Sequence, residues 1–191
     1  MISAEKKEKI STRSTYLLLS QALFSLLEDT LFEKITLTQL CDHSMVPRST
    51  FYRYFEDKYD LLYYCLQTFF DTVRLDKDII YLKDGKGRAF VAKLIAVMDK
   101  NKSSFQKICQ TNKNGIFMDI LRNYMLQILE QTVTQLEAEG SKLKISRPVF
   151  LYLLADLYIS MAKCYLESET DCPPETFSND ICLFAARDFF S

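Results

Sequence analysis

An all-α fold is what this sequence predicts, on three observations. Only four glycines and four prolines occur in 191 residues, too few turn signals for the many short strands of a sandwich or barrel. Apolar residues recur at spacings of three and four, the period of one helical face. A composition that is 48% hydrophobic and 26% charged describes a globular chain of one or two small domains with a real core.

The elements follow in order. The opening "MISAEKKEKISTRST" has no continuous apolar stretch after its charges, so it reads as neither signal peptide nor membrane anchor, and a cytoplasmic protein is expected. In "STYLLLSQALFSLLEDTLF" the residues Leu18, Ala22, Leu23, Leu26 and Leu27 form the apolar face of helix one. "FEKITLTQLCDHS" then pairs Thr36 with Gln39 in the capping-box pattern and turns Leu37, Leu40 and Cys41 inward on a very short second helix. Pro47 has no backbone donor, biases Val46 toward extended backbone and suits a helix's first turn, so a third helix starts there and runs to about Tyr54. Asp57 caps a fourth, long helix through residue 76 that is apolar on more than one face.

The stretch "HSMVPRSTFYRYFEDK", residues 43 to 58, concentrates arginine, tyrosine, phenylalanine, serine and threonine on the third helix. A net charge of −1 does not favour a nucleic-acid partner for the whole chain, but local charge does: Arg48 and Arg53 stand without an acid between His43 and Phe55. With Phe51 at zero and about 100° per residue, Phe55 falls near 40°, Tyr52 near 100°, Ser49 near 160°, Arg53 near 200° and Thr50 near 260°. Two phenyl rings therefore mark the buried side, and the opposite face is small, polar and cationic. Two short helices joined by a tight turn, the second bearing such a face, describe a helix-turn-helix that lays its recognition helix in the major groove of double-stranded DNA. Arginine bonds guanine bidentately, serine and threonine bond a base edge or a phosphate, and tyrosine hydroxyls suit phosphates at the groove margin.

"KITLTQLCDHSMVPRSTFYRYFEDKYDLL", residues 34 to 62, resembles the DNA-binding signature of TetR-type transcriptional regulators in Thr36, Thr50, Phe51, Tyr52, Tyr54, Phe55, Lys58 and Leu61. The angular reading directs Ser49 and Arg53 toward bases with Thr50 and Tyr52 at the flanks, and the resemblance implies base contact for Arg48 as well and phosphate contact for Thr36, Thr50, Tyr52, Tyr54 and Lys58. The resemblance implies a three-helix DNA-binding domain over residues 1–57 and an effector-binding and dimerisation bundle over 58–191, about nine helices in all, with helix 58–76 linking the two. It departs from the family at the turn, which commonly reads Ala-Gly-Val but here is Ser44, Met45, Val46. A Met where φ > 0 is favoured costs backbone strain. His43, the single histidine, has no partners for a metal site and is read as surface.

Past residue 76 only the layout resembles the family. "LDKDIIYLKDGKGR" carries two of the four glycines and is read as the domain junction. Helices are expected at 88–101, 103–111, 115–139, 147–168 and 174–190. "VMDKNKSSFQKICQ" is similar to a short-chain subgroup of the family associated with dihydroxyacetone kinase operons. "PVFLYLLADLYISMAKCYL", residues 148 to 166, is nearly long enough to span a bilayer, but Asp156, Ser160 and Lys163 argue against that. A helix apolar nearly all round belongs in a core or an interface, and the resemblance implies a homodimer through residues 147 to 190. A small-molecule effector, mostly apolar or neutral, is expected among Phe69, Phe105, Phe117, Tyr124 and Tyr152. The lever between the sites is expected to be helix four, with Tyr63, Tyr64, Phe69 and Phe70 packing toward the second domain.

No cofactor or metal is expected. Glycine-rich phosphate loops, HExxH and GxSxG are absent from the sequence, and one histidine limits acid–base chemistry, so an enzyme is not expected. The six cysteines contain no CxxC and read as reduced thiols in helices. Two further readings stay open: a redox-sensing regulator switched through Cys164, Cys172 or Cys182, and a helical protein-interaction module that makes no DNA contact.

Overall fold

Nine α-helices and one 3-10 turn are formed by the residues that the computed structural model describes, 4–73, 85–167 and 173–185. They are α1 (Ala4–Asp29), the 3-10 turn Phe32–Lys34, α2 (Leu37–Ser44), α3 (Arg48–Tyr54), α4 (Lys58–Val73), α5 (Gly85–Asp99), α6 (Lys102–Asn112), α7 (Ile116–Ala138), α8 (Arg147–Glu167) and α9 (Pro174–Ala185). The all-α class follows, and apart from α1, which begins at Ala4 and not within the stretch starting at Ser14, the sequence boundaries hold to within a few residues where the residues are described. Residues 74–76, expected in helix four, and 186–190, expected in the last helix, lie outside the described residues. So does most of the expected junction; its two glycines, Gly85 and Gly87, stand in the first turn of α5.

The chain forms two compact units that interleave in sequence: residues 1–68 with 107–117, and residues 69–106 with 118–191. In the first, α1 packs on α2 and α2 on α3. The buried stripe of α1 is Leu19, Ala22, Leu23 and Leu27, whereas Leu18 is exposed. The expected stripe was thus one residue off at its N-terminal end, because Leu17, Leu18 and Leu19 are equally apolar and only Leu19 is buried. α1 also runs back to Ala4, so the cationic opening segment continues that helix.

In the second unit α5 packs on α9. α8 passes the length and composition test for a membrane span, yet it buries Phe150, Leu154, Tyr158, Met161 and Tyr165 within the protein, as a core helix does. Its other face leaves Val149, Tyr152 and Leu153 exposed, as α9 leaves Leu183. The Tyr165 hydroxyl donates to the Asp99 carboxylate at 2.6 Å, and Gln106 Nε2 donates to the Leu166 carbonyl at 2.6 Å, so the end of α8 is fastened to the α5–α6 corner.

Candidate nucleic-acid interface

The first unit builds a helix-turn-helix from local chemistry. Thr36, with extended backbone, caps α2: its hydroxyl accepts from the Gln39 amide at 3.2 Å, and the Gln39 side chain accepts from the Thr36 amide at 2.8 Å. Two amides that the helix cannot satisfy itself are thereby bonded reciprocally. At the other end Met45 sits at φ 55°, ψ 26°. The Val46 amide donates to the Cys41 carbonyl at 3.1 Å and the Met45 amide to Asp42 at 3.3 Å. This is a Schellman stop, with Val46 buried behind it. The strained position expected at Met45 is therefore present.

Pro47 precedes α3 and accepts from the Thr50 and Phe51 amides through its carbonyl at 2.9 and 3.0 Å. Phe51 and Phe55 are buried, with ring centroids 5.7 Å apart, while Ser49, Tyr52 and Arg53 are exposed and Thr50 is half-buried. This division matches the angular argument. Arg48 is exposed and its guanidinium donates to the Thr38 hydroxyl, a cross-brace from α3 to α2. Tyr54 is half-buried; its ring meets Tyr16 edge-on at 5.2 Å and its hydroxyl shares a hydrogen bond with the Thr12 hydroxyl. Asp57 starts α4 by accepting from the Tyr59 and Asp60 amides at 2.8 and 2.9 Å.

Lys58 behaves differently from the expectation. Its ammonium donates to three backbone carbonyls, Phe32, Glu33 and Ile35, at 2.9, 2.9 and 2.7 Å. It also lies 5.0 Å from the Phe32 ring centroid and 5.6 Å from that of Tyr59. All three donors of the ammonium are thereby engaged within the first unit. Burial lowers its pKa from the ordinary lysine value, against the opposing pull of Glu33 and Asp57.

Sequence reasoning missed Asn112 altogether. It is fully buried, its Oδ1 accepts from the Phe32 amide at 2.9 Å, and its Nδ2 donates to the Leu27 and Ile108 carbonyls at 2.9 and 3.1 Å. Beside it the Thr111 hydroxyl donates to the Glu28 carbonyl at 2.7 Å, and Lys107 pairs with the Glu28 carboxylate at 3.1 Å. Gly115 approaches so closely that a Cβ there would stand 3.1 Å from the Glu33 carboxylate and 3.3 Å from Leu31. No local pattern marks Asn112, since its partners on the 3-10 turn and α1 are 80 and 85 residues away.

Of the residues expected to line an effector site, three form one aromatic cluster in the second unit. Phe69 meets Phe105 at 5.7 Å and Phe70 at 5.2 Å, and Phe70 stacks on Tyr124 at 5.5 Å. Burial, with Asp71 nearby, raises the Tyr124 pKa. Phe117 is buried but belongs to the first unit. Tyr152 corrects the expectation: it is 55% exposed on α8 beside Val149 and Leu153, and so lines no interior cluster. Tyr64, expected to pack toward the second domain, instead stacks on Tyr16 at 4.8 Å in the first unit. Cys41, Cys65, Cys109 and Cys164 are helical thiols, Cys164 exposed; Cys172 lies outside the described residues, as does the side chain of Cys182.

The class this geometry defines is an all-α protein with a helix-turn-helix in its first unit. No protein-family model matches the chain, and no curated protein matches it in sequence. Solved structures do. The chain is similar to the structure titled "Dihydroxyacetone kinase operon activator DhaS" at 19% identity and a TM-score of 0.51, over 93% of this chain and 98% of that one. It is likewise similar to a TetR transcriptional regulator from Streptococcus agalactiae 2603V at 19% identity and a TM-score of 0.63, over 97% of this chain and all of the other. Its fold is that of the TetR transcriptional regulators.

Proposed function

We propose that this chain is a non-enzymatic transcriptional regulator that binds an inverted-repeat operator as a homodimer, and that a small molecule held in the second unit changes its DNA affinity. One observation carries the reading: α3 exposes Ser49 and Arg53 on the side opposite the buried Phe51 and Phe55, behind a capped α2 and a Schellman turn. Ser49, Arg53 and Arg48 read bases; Thr36, Thr50, Tyr52 and Tyr54 grip phosphates at the groove margin.

The exposed apolar residues Val149, Tyr152 and Leu153 on α8 and Leu183 on α9 support the dimer, because they offer a second copy an apolar surface. The cluster of Phe69, Phe70, Phe105 and Tyr124 supports an apolar effector. Repression is the proposed sign. One similar structure is titled an activator, so the sign belongs in the test. The experiment is selection from random duplexes followed by a reporter driven by the selected site. An inverted repeat, with half-sites spaced by about one helical turn or a multiple of it, is the expected result. Lower reporter output in the presence of the protein establishes repression. Selection that returns no sequence, or a single unrepeated site, defeats the proposal.

A further inference from the structure

The 3-10 turn Phe32–Lys34 connects α1 to the N-cap of α2, and it is held from two directions by side chains remote in sequence. Lys58, the first residue of α4, takes the carbonyls of Phe32, Glu33 and Ile35. Asn112, the last residue of α6, takes the amide of the same Phe32 and ties it to the Leu27 carbonyl at the end of α1. Both backbone polar groups of Phe32 are thus committed, one to each helix. Thr36, one residue beyond Ile35 at the end of this turn, caps α2 and so sets where α2, and through the Met45 turn α3, begins.

We infer that Lys58 and Asn112 are positioning residues for DNA recognition: they clamp the Phe32–Lys34 turn between α4 and α6, so that the placement of α2 and α3 depends on where those two helices end. This rests on the regulator reading above. It assigns Lys58 a role through backbone carbonyls in place of a phosphate contact. It also makes Asn112, more than fifty residues beyond the recognition helix, a determinant of operator affinity. α6 contributes Lys102–Gln106 to the second unit and Lys107–Asn112 to the first. The clamp is chemically matched to this task, since a residue whose amide and carbonyl are both bonded follows displacement of either partner or breaks a hydrogen bond.

The test uses the full chain, a duplex selected by the wild-type protein, and conditions under which circular dichroism shows each variant folded. Lys58→Met and Asn112→Ala should each weaken binding by about tenfold or more, and the double variant should be little weaker than the worse single, because both changes release one turn. The salt dependence should stay that of the wild type. In the free protein, hydrogen exchange at the Phe32 amide should accelerate in Asn112→Ala, a readout independent of DNA. Asn112→Ser, whose short hydroxyl can bond back to the Ile108 carbonyl but cannot span to Phe32 and Leu27, should match Asn112→Ala in operator affinity and serves if the alanine variant does not fold. A loss of about one counterion in the salt slope of Lys58→Met would overturn the inference by making Lys58 a phosphate anchor. Unchanged operator affinity in Asn112→Ala despite faster exchange at Phe32, or independent, multiplicative effects of the two changes, would overturn it too. Wild-type protein that selects no duplex refutes the regulator reading itself, whereas wild-type binding with unaffected variants refutes only the clamp.

Discussion

Replacing Met45 by glycine should stabilise the protein. Met45 occupies the left-handed region at φ 55°, ψ 26°, where an L side chain brings its Cβ too close to the following carbonyl oxygen, at about 1–2 kcal/mol. Its side chain is 91% exposed, so removing it forfeits almost no burial. Glycine removes the clash but loses about 0.5–1 kcal/mol more backbone entropy on folding. The difference is a gain of about 0.5–1 kcal/mol, which for a 191-residue chain shifts Tm upward by about 1–4 °C. Alanine keeps the Cβ and should melt close to wild type. Valine, branched at Cβ, should melt lowest. Thermal and urea unfolding of the four proteins at one concentration reads the order directly. A glycine variant that melts below wild type, or a valine variant that melts above it, would refute the strain argument and with it the assignment of this turn.

Three other outcomes are expected. Ser49→Ala and Arg53→Ala should each cost about 1–3 kcal/mol on the selected operator and relax preference at particular base pairs, with a smaller loss on unrelated duplex; repeating the selection with each variant checks this. Burial pushes the Cys65 thiol up to about 11. Its neutral form is favoured in the folded state, so its contribution is full below the unfolded thiol's pKa near 9 and is lost as pH rises from there to about 11. Comparing urea midpoints of wild type and Cys65→Ala across that window should show about 2–3 kcal/mol of pH dependence that the variant lacks. Leu153→Asp should leave the melting of an isolated protomer nearly unchanged, because Leu153 is exposed, yet shift the protein from dimer to monomer in light scattering at micromolar concentration. A dimer that survives the change places the interface elsewhere.

What the sequence determined by itself is what neighbours within four residues decide. The Thr36–Gln39 box, the restart at Pro47, the Asp57 cap and the opposition of Phe51 and Phe55 to Ser49 and Arg53 all follow from helix periodicity and from amides that a helix end leaves unbonded, whereas the strain at Met45 is implied by the family resemblance of the turn. Tertiary structure decided the rest. Leu18 and Leu19 are chemically alike, and only the side of α1 that the core occupies chose between them. Tyr152 satisfies the apolar pattern of α8 yet lies on its exposed face, a matter of which side the core occupies. Lys58 shows the distinction most sharply. The family resemblance implies a phosphate partner for it, while in the folded chain three carbonyls 23 to 26 residues earlier accept from the ammonium. Asn112 reaches that same turn from 80 residues later. Backbone groups at helix ends must find partners in a fold that buries them, and where the local chain supplies none, only the meeting of distant segments determines which side chain does.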